Sequence, residues 1–237
     1  MRGMSDPRAV LNESPVRSRR ISNGDGQTRD LLIQAALKLF ARHGLDGVSL
    51  RQICAEAQQL NQSVVHYYFQ SKRGLIEAVL DYVASQLRPM QASVDENLLA
   101  MAKERQPTVH EIVAASLIPV VGWYMTSPIG RRSIRFLSRL TWQAEQDEFD
   151  LLVERCLPSY DLMVDQLTQA MPQTPREVVA AKVLFSMINL IHGLASTRVA
   201  FGSRALATNG LNTLDRDALL THFIDYVAGG IASSPSA

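Results

Sequence analysis

Cysteine is scarce. Cys54 and Cys156 are the only two in 237 residues, too few for a disulfide framework and in keeping with a reducing cytosol. Cys54 falls on the apolar face of a short helix, which predicts a buried structural thiol rather than half of a redox pair. No stretch reaches 18 uncharged apolar residues, so no membrane span is expected. The polar, Arg-rich N-terminus lacks the apolar core of a secretion signal. Catalytic and metal motifs are missing too: there is no HExxH, no CxxC and no Gly-rich phosphate loop after a strand. The five histidines, His43, His66, His110, His192 and His222, are scattered, without Cys or carboxylate partners at metal-ligand spacing. These gaps argue against an enzyme and against a resident cofactor. His192, on an apolar helix, reads first as a satisfied core histidine; an effector handle or a haem ligand are the other readings.

A surplus of charge is also lacking, since the formal net charge is only +1. The charge is divided unevenly, however. Residues 1–73 carry 11 Lys/Arg against 6 Asp/Glu, and residues 74–237 carry 13 against 17, so a head of +5 precedes a body of −4. A basic head on an acidic body suits phosphate contact at one end. It also weighs against an adaptor that binds only protein. The apolar fraction of 46% is enough for a sizeable core, although aromatics make up only 6%.

The stretch Ser49–Lys72 organises the rest. Ser49 followed by Gln52 is a capping box, and Leu50, Ile53, Cys54 and Ala57 recur at helical spacing. The turn Gln58-Gln59-Leu60 is expected to let Leu60 plug the angle between two short helices. Asn61 is the expected N-cap of the second helix. Val65 and Phe69 then face inward and leave Gln62, Ser63, His66 and Tyr67 outside. Polar side chains at the exposed start of a second helix suit base edges in a major groove, although an ordinary helical hairpin has the same pattern.

The flanks add specificity. TRDLLIQAALKLFARHGLDGVSLRQI and VVHYYFQSKRGLIEAVL, over roughly residues 28–82, resemble the DNA-binding domain of the TetR (tetracycline-repressor-like) family of transcription regulators. The turn departs from the family pattern: Ala57-Gln58-Gln59-Leu60 is one residue longer than the usual Ala-Gly-hydrophobic turn and lacks its glycine. The resemblance implies an all-α fold, with a three-helix helix-turn-helix head at 27–73 and a helical effector-binding and dimerisation body at 74–231. It implies a cytoplasmic, nucleoid-associated homodimer that binds an inverted-repeat operator in double-stranded DNA. It places Ser49 and Arg51 at the DNA backbone, with Asn61, Gln62 and Ser63 at the base-facing start of the reading helix. His66, Tyr67 and Lys72 match phosphate-clamping positions.

Outside the head, residues 1–26 and 232–237 read as disordered arm and tail. Arg17, Arg19 and Arg20 are either a solvated tail or an arm reaching phosphates or a minor groove. A first helix is expected from Thr28 to His43, with Gly44 ending it. In the body, Thr108 and Glu111 form a second capping box, and Arg131, Arg132, Arg135 and Arg139 are expected to pair with the acidic cluster at 145–154. The apolar and aromatic residues of the middle helices suggest a pocket for a hydrophobic small-molecule effector. Candidates are Trp123, Tyr124, Met125, Phe136, Trp142, Tyr160, Met163, Phe185, Met187 and His192, each of which also reads as an ordinary core side chain. Of the two last helices, starting near Pro175 and Asp215, the first is apolar nearly all round and the second carries an apolar set, and together they fit a four-helix dimer interface. Val183, Met187, Leu190, Leu194, Leu220, Phe223, Ile224 and Val227 are its expected residues; the alternative is that both helices simply complete the monomer core.

Overall fold

The computed structural model describes residues 23–143, 146–157, 159–201 and 215–233. Every regular element among them is helical. The order is α1 (Asn23–His43), α2 (Leu50–Glu56), α3 (Ser63–Phe69), α4 (Lys72–Glu104), α5 (Val109–Thr126), α6 (Pro128–Gln143), α7 (Gln146–Cys156), α8 (Tyr160–Ala170), α9 (Arg176–Phe201) and α10 (Arg216–Ala232). The arginines of the N-terminal arm lie outside the described residues. The first helix begins at Asn23, five residues before the expected Thr28.

Several sequence signals act as local physics requires. Ser49 and Gln52 satisfy each other's backbone N–H groups at the start of α2, as do Thr108 and Glu111 at α5. Asp215 accepts the Ala218 N–H at 2.8 Å and starts α10. Gly44 adopts φ 79°, where its N–H reaches back to the Phe40 carbonyl and ends α1. In the head, Leu32, Ala36 and Phe40 of α1, Ile53 and Cys54 of α2, and Val65 and Phe69 of α3 are all buried. They pack against Leu75, Val79 and Val83 of α4 in one core that continues into the body.

The head is not an appendage. α1 packs along α6, and Phe40 stacks on Phe136 at 6.3 Å between ring centres. Helix α4 begins beneath α3 and runs on for 33 residues, through Pro89, against α5 and α7. Two helical windows, Val109–Thr126 and Arg176–Thr197, are long and apolar enough to cross a membrane by length and composition. Each carries charged side chains, Glu111 in the first and Arg176, Glu177 and Lys182 in the second, so neither is an uncharged apolar run. Both pack within the helical body, α5 against α10, α4 and α6, and α9 against α6 and α8. Only 22% of the α9 window is buried, so this apolar helix keeps an open side.

Candidate functional site

The turn between α2 and α3 solves its missing glycine with a glutamine. Gln58 sits at φ 58°, with its N–H on the Ala55 carbonyl, and the Gln59 N–H reaches the Cys54 carbonyl at 2.8 Å. That pair of bonds is a Schellman ending, with Gln58 in the left-handed slot that glycine usually fills. The extra residue turns Leu60 away from the helix angle. It does not plug the junction as expected but stands fully exposed. Asn61 is also displaced from its expected role. Gln62 is the N-cap position, and Asn61, one residue outside, accepts the Ser63 N–H through its side chain at 2.9 Å.

Asn61, Ser63 and Tyr67 share one shallow surface with Leu60 and Gln58. Gln62 and His66 stand a helical turn apart, both exposed, and the His66 ring Nδ1 lies 2.9 Å from the Gln70 carbonyl oxygen. Arg51 is exposed on α2, whereas the Ser49 hydroxyl is occupied by its cap with Gln52. Lys72 is half-buried as the first residue of α4. A neighbouring bond that the sequence did not reveal holds this surface in place. The Tyr68 hydroxyl donates to Asp25 at 3.1 Å, tying α3 to α1, and burial, with that carboxylate beside it, pushes the phenol pKa up. The Arg29 guanidinium lies 5.5 Å from the Phe69 ring centre.

The junction from α3 to α4 is tight. Gln70 takes φ 64° and ψ −39°, and across it the Ser71 N–H bonds the Phe69 carbonyl at 2.7 Å. This is a strained γ-turn. Ser71 then caps α4 by accepting the Gly74 N–H at 3.0 Å. A Cβ at Gly74 would lie 2.1 Å from the Phe69 carbonyl oxygen, so only glycine lets α4 start so close beneath α3.

The body holds a cavity of about 90 Å³ between α4, α5, α6, α7, α8 and α9. Tyr160, Met163 and Met187 line it as expected, joined by Leu190, which was expected at the dimer interface. The other effector candidates lie elsewhere. Phe136 is consumed by its stack on Phe40, and Trp142 and Phe185 are 83% and 61% exposed. Trp123 and Met125 pack against the core outside the cavity. His192 is held on both ring nitrogens, 2.9 Å from Ser138 Oγ and 3.1 Å from Thr141 Oγ1. It is a satisfied histidine, with no nitrogen left for a haem.

The expected arginine pairing is also revised. Arg131 donates to the Tyr124 and Met125 carbonyls that end α5, while Asp147 faces Arg73 at 3.5 Å. Most of the dimer candidates serve the monomer. Val183, Leu190, Leu194, Ile224 and Val227 are buried within the single chain, and Leu220 and Phe223 pack partly against its core. An all-apolar helix does not reveal from its sequence which side meets its own core. The open side of α9 and α10 instead presents Phe185 and, 67% exposed, Tyr226.

A helix-turn-helix head with a polar, exposed second helix, fused to a cavity-bearing helical body, defines the class of one-chain transcription regulators. Two family models match the chain: bacterial regulatory proteins of the tetR family over residues 32–79, and the tetracyclin repressor-like C-terminal domain over residues 114–230. The chain belongs to the TetR family. It is 34% identical over 113 residues to the regulatory protein RaaS of Mycobacterium tuberculosis, covering 46% of this chain and 48% of that one. It is 30% identical over 88 residues to the repressor NicS of Pseudomonas putida, covering 37% and 39%. The chain thus spans less than half the length of these curated relatives. A TetR-like regulator from Rhodococcus sp. RHA1 shares the fold at a TM-score of 0.60 with 17% identity, over 87% of this chain and 97% of that one.

Proposed function

We propose that this protein is a ligand-responsive repressor that binds an inverted-repeat operator as a homodimer in the cytoplasm and is released by a small apolar effector. The observation that carries the reading is the exposed start of α3, where Asn61, Gln62 and Ser63 face outward beside His66, Tyr67 and Lys72. Gln62 is suited to bidentate pairing with adenine, Asn61, its oxygen on the Ser63 N–H, offers its amide N–H₂ to a base acceptor, and Lys72 at the start of α4 suits a phosphate oxygen. Family membership and the likeness to the NicS repressor support the sign of regulation.

Helix α6 supplies a physical route from effector to head. Ile134 and Leu137 line the cavity, and one turn and a half further on Gln143 closes α6 onto the head. Its side-chain oxygen accepts the Leu45 N–H at 3.0 Å and its amide donates to Asp46 at 3.3 Å. A cavity of about 90 Å³ is smaller than the few hundred Å³ of ordinary ligand sites. An effector must therefore move Met90, Met163 or Met187 and press on the helices around them. If the pressed arrangement misplaces the heads, ligand and DNA weaken each other equally, by about 5- to 150-fold in typical couplings.

The test is selection of bound duplexes from a random pool at near-physiological salt. Enrichment of an inverted repeat supports the reading. Weak binding with no motif, lost as salt rises, would refute sequence-specific regulation. In the positive case Asn61→Ala and Gln62→Ala should relax the preference at single base pairs, by about 1–3 kcal/mol each.

A further inference from the structure

The cavity in the body has an unusual polar inventory, which bears on what fills it. Its lining carries no ionised side chain among the described residues. Its polar groups are Gln91, Ser116, Ser159 and Tyr160, and most of their protons are already spent inside the protein. The Tyr160 hydroxyl donates to the Ala180 carbonyl at 2.7 Å, and the Ser116 hydroxyl to the Ile112 carbonyl at 2.8 Å. The Gln91 amide nitrogen donates to the Cys156 carbonyl. That bond fixes the amide orientation, because a flipped amide would set oxygen against oxygen. Gln91 Oε1 and Ser159 Oγ are then buried with no hydrogen-bond partner among the described residues. One turn along α4, Asp95 Oδ1 is likewise buried and unpartnered.

We infer that the cavity takes an uncharged, largely apolar molecule carrying a hydroxyl or N–H donor, which bonds Gln91 Oε1, and that it rejects carboxylates. The inference rests on the effector reading above and narrows its ligand class. An anion entering this site loses its hydration and meets the bare Gln91 Oε1, with only the neutral Ser159 hydroxyl and Cys156 thiol as donors and no Lys, Arg or His on the wall to offset the loss. An apolar molecule without a donor fits the hydrocarbon lining but leaves Gln91 Oε1 unsatisfied. Free fatty acids are thereby disfavoured, and alcohols or phenols of similar shape are favoured.

The experiment uses the full chain and three matched series at about pH 7.5: 1-alkanols from butanol to decanol, alkyl methyl ethers of equal length, and the corresponding alkanoates. Binding is followed by calorimetry and by the shift in melting temperature. At least one alkanol should bind about 10-fold tighter than its ether, and the alkanoates should leave the protein unchanged. Gln91→Leu should erase the difference between alcohol and ether. An ether binding as well as its alcohol in the native protein overturns the donor requirement, whether or not the variant folds. An alkanoate binding as tightly as the alkanol overturns the charge rule. If no member of any series binds, the effector reading falls together with the inference.

Discussion

Gln58 occupies a backbone conformation that costs most side chains about 1–2 kcal/mol, yet the Schellman bonds around it are complete. The exposed amide makes no demand on the turn. Gln58→Gly should therefore raise stability by roughly 0.5–1 kcal/mol, after the loss of unfolded-chain entropy is counted against it, and thermal melting checks this. A fall in melting temperature would mean that the side chain supports the turn. At the other residue of interest, burial pushes the Cys156 thiol up to about 12. The protonated form is the one the fold keeps, so its contribution is whole below the unfolded thiol value and is lost as pH rises from about 9 towards 12. Denaturant unfolding at stepped alkaline pH should show this decline in the native protein and less of it in Cys156→Ala. Native Cys156 should also resist alkylation near neutral pH.

Among the elements, two junctions set where the reading helix points. The first is the γ-turn at Gln70 followed by Gly74 beneath the Phe69 carbonyl. Gly74→Ala forces backbone against Cβ and should cost about 1–3 kcal/mol, with loss of DNA affinity exceeding the loss of helix content. Circular dichroism and DNA titration together measure both. The second is the Gln143 clasp on Leu45 and Asp46. Gln143→Ala leaves the cavity lining intact, so effector affinity should stay within about twofold while the effect of ligand on DNA binding shrinks. Unchanged coupling would move the route to α4, which also joins cavity and head.

At the scale of the molecule, the open side of α9 and α10 must be accounted for. Phe185 stands out from α9, whose composition would suit a lipid phase, and Tyr226 from the neighbouring α10, and an exposed apolar face of this kind marks an association surface. Pairing it with its symmetry mate gives the four-helix interface proposed for the dimer. Phe185→Glu with Tyr226→Glu should shift the protein to a monomer in light scattering or sedimentation, and should lower operator affinity by removing the second head. A dimer that survives both changes would place the interface elsewhere.

Much of this architecture was legible in one dimension because its causes are local. Capping boxes at Ser49 and Thr108, the left-handed ending at Gly44, and the apolar spacing of α1 to α4 depend on neighbours within a few residues. The helices and the exposed polar start of α3 follow from them. What lay beyond the sequence depends on partners far along the chain. Phe136 reads like a pocket residue until Phe40 arrives from α1 to cover it, and His192 reads like a handle until α6 brings Ser138 and Thr141 to its two nitrogens. Val183 and Ile224 look like interface residues because an apolar helix carries no mark of which side is inner. An inserted residue changed the turn from a plug to an exposed Leu60, a matter of backbone path that composition does not encode. Local hydrogen-bonding and periodicity thus determined the elements and the head, whereas only the tertiary packing decided which apolar side chains close the core, which line the cavity and which remain open to a partner.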